Sequence, residues 1–284
     1  MKGMAQGSPA RRERRRSRER PVRSRVGHAA AILTGSLLLG AGCVLPAGAG
    51  QALAQEALGA CDVTDDLLAD GESGLYQVRA GRSRLHFLKG GDEKTGCPQE
   101  NAGCTARAYL LPGDPVVVTR TEGNFVCAGF APPKQANAVT SGWLPAAALD
   151  LPQVASGAVS EWLGRWHSGA WKQIDITAAP NGGITLEGSA SYGADDPARR
   201  ERGAVNTGEI AATVTPQGGR ADFSLDVSGE VRAYDATGDD VFCKLRLRQL
   251  GPYLAVTDNA QCGGHNVTFT GIYRRAGKAE KPKR

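Results

Sequence analysis

The sequence predicts an all-β protein: a small N-terminal barrel, then an antiparallel, eight-stranded up-and-down β-barrel. Three observations predict it. Short alternating runs recur between glycine- and proline-rich turn signals such as Pro112-Gly113-Asp114, Pro180-Asn181-Gly182-Gly183 and Pro216-Gln217-Gly218-Gly219. Six cysteines follow a leader-like N-terminus, an even set that suits disulfide staples in an exported chain. The runs after residue 168 each carry one apolar face, so their sheet must curl around a core, and closure leaves no open edge.

The chain begins with a leader. Of 34 Lys and Arg and 29 Asp and Glu, residues 1–54 hold Lys2 and nine arginines but only Glu13 and Glu19. The remainder is therefore net acidic, although the whole chain is formally +5. A nucleic-acid reading of that charge would rest on the leader alone, so no nucleic acid is expected as a partner. An uncharged apolar stretch and the site Ala52-Leu53-Ala54 complete a signal peptide, residues 1–54, cleaved after Ala54. The alternatives are an uncleaved membrane anchor, weakened by Gly35, Gly40, Gly42 and Pro46, and lipidation at Cys43. Gly40 stands where a lipidation signal carries an aliphatic residue. The exported chain is expected to be periplasmic or secreted, and to meet a membrane only through this leader.

Residues 55–73 read as a lead-in segment with an acidic, helix-like patch. Residues 74–151 form the first barrel. Runs 76–79 and 84–88 alternate, residues 90–103 are a polar insert, and 106–111, 115–119 and 124–129 are strands. Residues 132–140 are a loop, and Gly142-Trp143-Leu144 leads into a closing turn. The cysteines here allow three pairings. Cys97–Cys104 with Cys61–Cys127 is favoured because the first two share one loop; Cys104–Cys127 is the main rival.

The order Val78-Arg79, then Pro112-Gly113-Asp114 before Val116-Val117-Val118, then Gly142-Trp143-Leu144 and Leu149 resembles the bacterial SH3-like domains of exported proteins. The resemblance covers residues 74–151. It implies a small barrel with Trp143 in its core that binds cell-wall peptide or serves as a spacer. The insert at 90–103 departs from the pattern and falls where a recognition loop would lie.

Residues 152–160 are a small-residue linker. Residues 161–275 form the second barrel, with strand-like runs at 169–178, 183–192, 205–215, 221–227, 230–235, 241–249, 252–258 and 265–275. Residues 193–204 are a charged surface loop. Cys243 and Cys262 have only each other for a partner here, and their bond would close about twenty residues, worth about 3 kcal/mol in the chain-entropy model. Val267, Phe269 and Tyr273 are expected to face inward. Gly164-Arg165-Trp166 and Arg274 resemble the first-strand G-x-W and closing arginine of calycin barrels, which implies Arg274 lying over Trp166. The ending from Asp258 to Tyr273 also resembles exported bacterial proteins that pair such a domain with an SH3-like one; no activity follows from that likeness. Residues 276–284 are a basic tail.

Candidate chemistry is sparse. His86, His167 and His265 form no metal-spaced pair, and the cysteine spacing matches no zinc site, so no metal or cofactor is expected. No nucleophile motif marks a catalytic residue. The densest polar cluster holds Asp258, Asn259, His265 and Asn266. It serves either as a recognition loop or as a structural turn in which Gly263 and Gly264 take positive φ and Cys262 staples the loop; the structural reading weighs more. Lys244, Arg246 and Arg248 alternate with apolar residues and put three cations on one outer strand face, either a patch for anionic glycan, phospholipid or acidic protein or an ordinary solvated face. Trp162, Trp166 and Trp171 divide among core, barrel plug and an exposed stacking face.

These readings point to a non-enzymatic exported envelope protein whose first domain docks on peptidoglycan or an envelope protein and whose barrel binds or scaffolds. The alternatives are an inhibitor that presents a loop to a lysozyme-like hydrolase, and an enzyme with a site in the barrel mouth.

Overall fold

The computed structural model describes residues 58–276, apart from 70, 71, 82, 134–138, 155 and 236–240. The leader, its cleavage after Ala54, lipidation at Cys43 and tail residues 277–284 lie outside the described residues. The fold is all-β, with two antiparallel sheets, one of them a nearly closed barrel.

The lead-in carries helix α1 (Val63–Leu68), started by Asp62, whose carboxylate accepts the Thr64 N–H at 2.7 Å. Val63 and Leu67 stand four residues apart and share the buried face. Strands β1 (Gly74–Gln77), β2 (Leu85–Leu88), β3 (Thr105–Leu110), β4 (Pro115–Glu122), β5 (Phe125–Phe130) and β6 (Thr140–Pro145) follow. They form the first sheet in the order β1-β4-β5-β6-β2-β3. Gly113 and Gly123 take positive φ in the two tight turns, where a side chain would be strained. Disulfides join Cys61 to Cys127 and Cys97 to Cys104.

In its central strands β4 and β5 both faces are buried. Val116 and Val118 point into a core with Phe87, Val126 and Leu144, whereas Val117 points the other way. The unbroken apolar run Val116-Val117-Val118 has this cause: a strand covered on both faces has no polar side.

The second sheet contains β7 (Gly164–His167), β8 (Lys172–Ala178), β9 (Ile184–Tyr192), β10 (Asn206–Val214), β11 (Arg220–Leu225), β12 (Val231–Ala233), β13 (Cys243–Leu250), β14 (Tyr253–Asp258) and β15 (Gly271–Arg275), with a one-turn helix α2 (Pro197–Glu201) between β9 and β10. The strand order is β10-β9-β8-β7-β15-β14-β13-β11-β12. Eight of these strands follow the up-and-down order, and the three-residue β12 folds back on the far side of β11. The eight are not the eight runs read from sequence. Gly164–His167 is a strand that joins first to last by pairing with both β8 and β15. The last run is a strand only from Gly271, because Asp258 takes the backbone N–H groups of Phe269 and Thr270. Side chains fill the interior: Trp162, Trp166, Ile174, Leu245, Phe269 and Tyr273 are all fully buried. Cys243 and Cys262 are bonded.

The cation over the Trp166 ring is Arg275, 4.7 Å from the centroid, not Arg274. Arg275 pairs directly with Trp166 across the ladder, and alternation turns Arg274 outward. Gly164 sits against it at φ 125°, where a Cβ would lie 3.5 Å from Arg275 Cδ.

The outward Arg274 meets the first sheet. Leu250, Tyr253, Ala255 and Ile272 of the barrel share one hydrophobic cluster with Val63, Leu67, Val117, Phe125 and Trp143. The Tyr253 hydroxyl donates to the Pro115 carbonyl at 3.0 Å, and Arg274 donates to the Ala131 carbonyl from above the Tyr253 ring. A Cβ at Gly129 would meet Val63 at 2.7 Å and Ile272 at 2.9 Å, so glycine permits the approach. Helix α1 supplies Val63 and Leu67 to this shared cluster, and the Cys61–Cys127 bond anchors it.

Two buried tyrosines make the fold sensitive to alkali. Burial pushes the Tyr253 hydroxyl up to about 12, with Arg274 opposing, and burial also raises Tyr273. An unfolded tyrosine ionises near pH 10. The folded state therefore holds protons that the unfolded state releases, and stability present below about pH 10 is lost towards about pH 12. Urea midpoints are expected to fall across that window, and to fall less steeply in Tyr253→Phe; equal slopes in the two proteins would rule out this hydroxyl as a source.

Candidate functional site

The loop after β14 is tied into the barrel by Asp258 and Asn259. Asp258 is 5 % exposed. Its carboxylate accepts the hydroxyls of Thr268 and Thr270 (2.6 Å for Thr270) and the N–H groups of Phe269 (3.2 Å) and Thr270 (3.3 Å). Asn259 accepts the Lys244 N–H at 3.0 Å and donates to the Phe242 carbonyl at 2.8 Å. The His265 carbonyl accepts from Asn206 at 2.6 Å, and the side chains of His265 and Asn266 lie at the surface. Positive φ falls on Ala260 (57°) and Asn266 (64°), not on Gly263 and Gly264. Those glycines serve close approach instead: a Cβ on Gly263 would come within 2.7 Å of the Gly208 Cα on β10. Four candidate residues thus divide, with Asp258 and Asn259 committed to backbone and His265 and Asn266 on the rim.

The cationic strand builds more of a site. Lys244, Arg246 and Arg248 stand on the outer face of β13, opposite Ser224, Asp222 and Arg220 of β11. Arg246 and Arg248 line a groove of about 270 Å³ with Arg220, Asp222, Glu72 and Thr257. Leu67 and Ser73 of the lead-in and Ala255 complete its walls; Lys244 lies outside that lining. Arg248 grips Asp222 with both terminal nitrogens. Arg246 lies 4.2 Å above the Tyr234 ring. Arg220 comes within 3.8 Å of Glu72, a distance and exposure at which a pair adds little.

Among the described residues, three guanidiniums and two carboxylates line this groove. Arg220 and Arg248 are direct cross-strand partners, an arrangement that destabilises a sheet through like-charge repulsion. The sequence shows Arg246 and Arg248 but not Arg220, Asp222 and Glu72. The outward positions of Arg220 and Asp222 are legible in the alternation of residues 220–225. The contribution of Glu72 follows only from the path of the lead-in over the barrel.

The histidines stay on separate elements: His86 on β2, beside the Ala106 carbonyl at 3.0 Å, His167 on β7 and His265 in the loop after β14. Among the described residues no group of three or more His, Cys, Asp or Glu is placed to hold a metal ion. Nor is any helix there long and apolar enough to cross a membrane. Three disulfides fit an oxidising, exported location. Comparison of the chain with protein-family models, with curated proteins and with solved structures finds no match.

Proposed function

We propose that the protein is an exported cell-envelope binding protein, periplasmic or secreted, that docks on anionic wall polymer through the arginine groove. One observation carries the reading: Arg220, Arg246 and Arg248, drawn from two adjacent strands, line one groove together with Asp222 and Glu72. An anion seated there relieves the Arg220–Arg248 repulsion and accepts planar, forked hydrogen bonds of the kind guanidinium makes best. The first sheet, whose sequence resembles SH3-like wall-binding domains, shares a core with the barrel. It therefore presents any second contact at a fixed position, which suits a scaffold that holds two points of one polymer.

The test is co-sedimentation of the full chain with isolated cell walls, native or stripped of anionic polymer. Binding is expected to weaken at least tenfold in an Arg220→Gln/Arg246→Gln variant, to weaken with salt, and to be lost on stripped walls. Salt-independent binding that the variant retains would overturn the reading.

A further inference from the structure

The barrel has a second concave surface that the arginine groove does not touch. It lies at the end where β8 and β9 begin and finish, in a groove of about 490 Å³. Its rim carries Trp171, 44 % exposed, and Tyr192, 40 % exposed. These values matter because Trp143, Trp162 and Trp166, the other three of the four tryptophans, are entirely buried. The exposed indole and the exposed phenol give this groove an aromatic rim.

The surroundings are ordered. Ser191 N–H donates to the Trp171 carbonyl at 3.0 Å, which fixes the two rims in register. The charged stretch 193–204, expected as a surface loop, folds as a turn and the one-turn α2, capped by Asp196 through the N–H groups of Ala198 (2.8 Å) and Arg199 (3.3 Å). This brings Arg199 over the Tyr192 ring at 5.1 Å. Gly193 leaves room for it, since a Cβ there would meet the guanidinium at 2.5 Å. Lys172 is anchored from behind by its bond to the Thr270 carbonyl at 2.7 Å.

The groove's charges cancel: Asp195 and Asp196 against Lys172 and Arg199. A charged ligand gains little from such a balance. A neutral one with many hydroxyls gains donors and acceptors around its edge, which Ser168 and Ser191 extend. The exposed Trp171 face suits the C–H face of a pyranose ring, whose polarised hydrogens meet the negative face of the π system. We infer that this end of the barrel is a saccharide-binding site for a neutral pyranose chain, with Trp171 as its stacking face and the Arg199-capped Tyr192 on the same groove.

The experiment uses the full chain and its own tryptophan emission. Iodide reaches Trp171 but not the three buried indoles, so the quenchable fraction of emission reports this groove. Chitotetraose and cellotetraose are titrated separately, to separate a chain with acetamido groups from one without. Protection of Trp171 from iodide by at least one of the two, unchanged by 0.5 M salt, is the expected result; salt independence separates it from the arginine groove. By calorimetry, Trp171→Ala is expected to weaken binding at least tenfold and Trp171→Phe less, with near-ultraviolet dichroism showing both variants folded. No protection by either sugar, or equal affinity in Trp171→Ala, would overturn the inference.

Discussion

Replacing Trp143 with alanine is expected to lower the unfolding free energy by about 3–5 kcal/mol, the range for deleting a buried large aromatic. The ring is fully buried, its Nε1 donates to the Gly59 carbonyl at 2.9 Å, and Arg120 lies 4.9 Å above it. Alanine removes the packing, leaves the Gly59 carbonyl without this donor and frees the lead-in next to the Cys61–Cys127 staple. The loss reaches the barrel, because Trp143 shares its cluster with Tyr253, Ala255 and Ile272. Urea unfolding followed by far-ultraviolet dichroism and by tyrosine absorbance is therefore expected to show one transition, shifted together in both probes. Two separate transitions in the variant, with the barrel's midpoint unmoved, would show that the shared cluster does not couple the sheets. A change near zero would remove Trp143 from the core.

The sheets were legible in sequence because alternation and turn chemistry act over a few residues. Residues 183–192 and 205–215 are seen as β9 and β10 within a residue or so, since both lie half-buried with one polar face. The favoured cysteine pairs are present too, the Cys97–Cys104 pair closing one loop. Interactions across the chain were not legible. Alternation alone marks Arg274 and Arg275 as opposite in direction, but which one meets Trp166 depends on the register of β15 against β7. That register depends on where Asp258 stops the strand. Gly164–His167 is four residues long and carries little pattern of its own; its pairing with the last strand makes it a strand. The shared core left a local trace that a strand-by-strand reading passes over: runs such as Val116-Val117-Val118 and Tyr253-Leu254-Ala255-Val256 have no polar alternate, the mark of a sheet covered on both sides. Of the arginine groove, half was visible as a strand pattern; the rest depends on the lead-in crossing the barrel.

Asp258→Ala tests whether the loop after β14 recognises or supports. The carboxylate holds two hydroxyls and two backbone N–H groups in a buried site, where Phe269 and Thr270 are fully buried. Thr270 N–H keeps a second partner in the Thr268 hydroxyl, but Phe269 N–H is left without this acceptor. A buried group stripped of its partner costs about 1–3 kcal/mol, and bonds to a charged acceptor are worth about 1.5–3 kcal/mol each. These terms overlap, so the expected loss is about 3 kcal/mol or more, read as a shift in urea midpoint. Asp258→Asn should lose less, because its amide oxygen still accepts while its nitrogen adds a donor where donors already converge. His265→Ala, which removes an exposed side chain, is expected to change stability by less than about 0.5 kcal/mol, and Asn266→Ala to cost about 1 kcal/mol, because alanine tolerates the positive φ there less well than asparagine. Wall binding supplies the second readout. If the loop only supports the barrel, all three alanine variants bind walls with unchanged affinity at temperatures where they remain folded. A folded His265→Ala or Asn266→Ala variant that loses binding would return the rim of this loop to recognition, and would place it beside the arginine groove as a second contact with the wall.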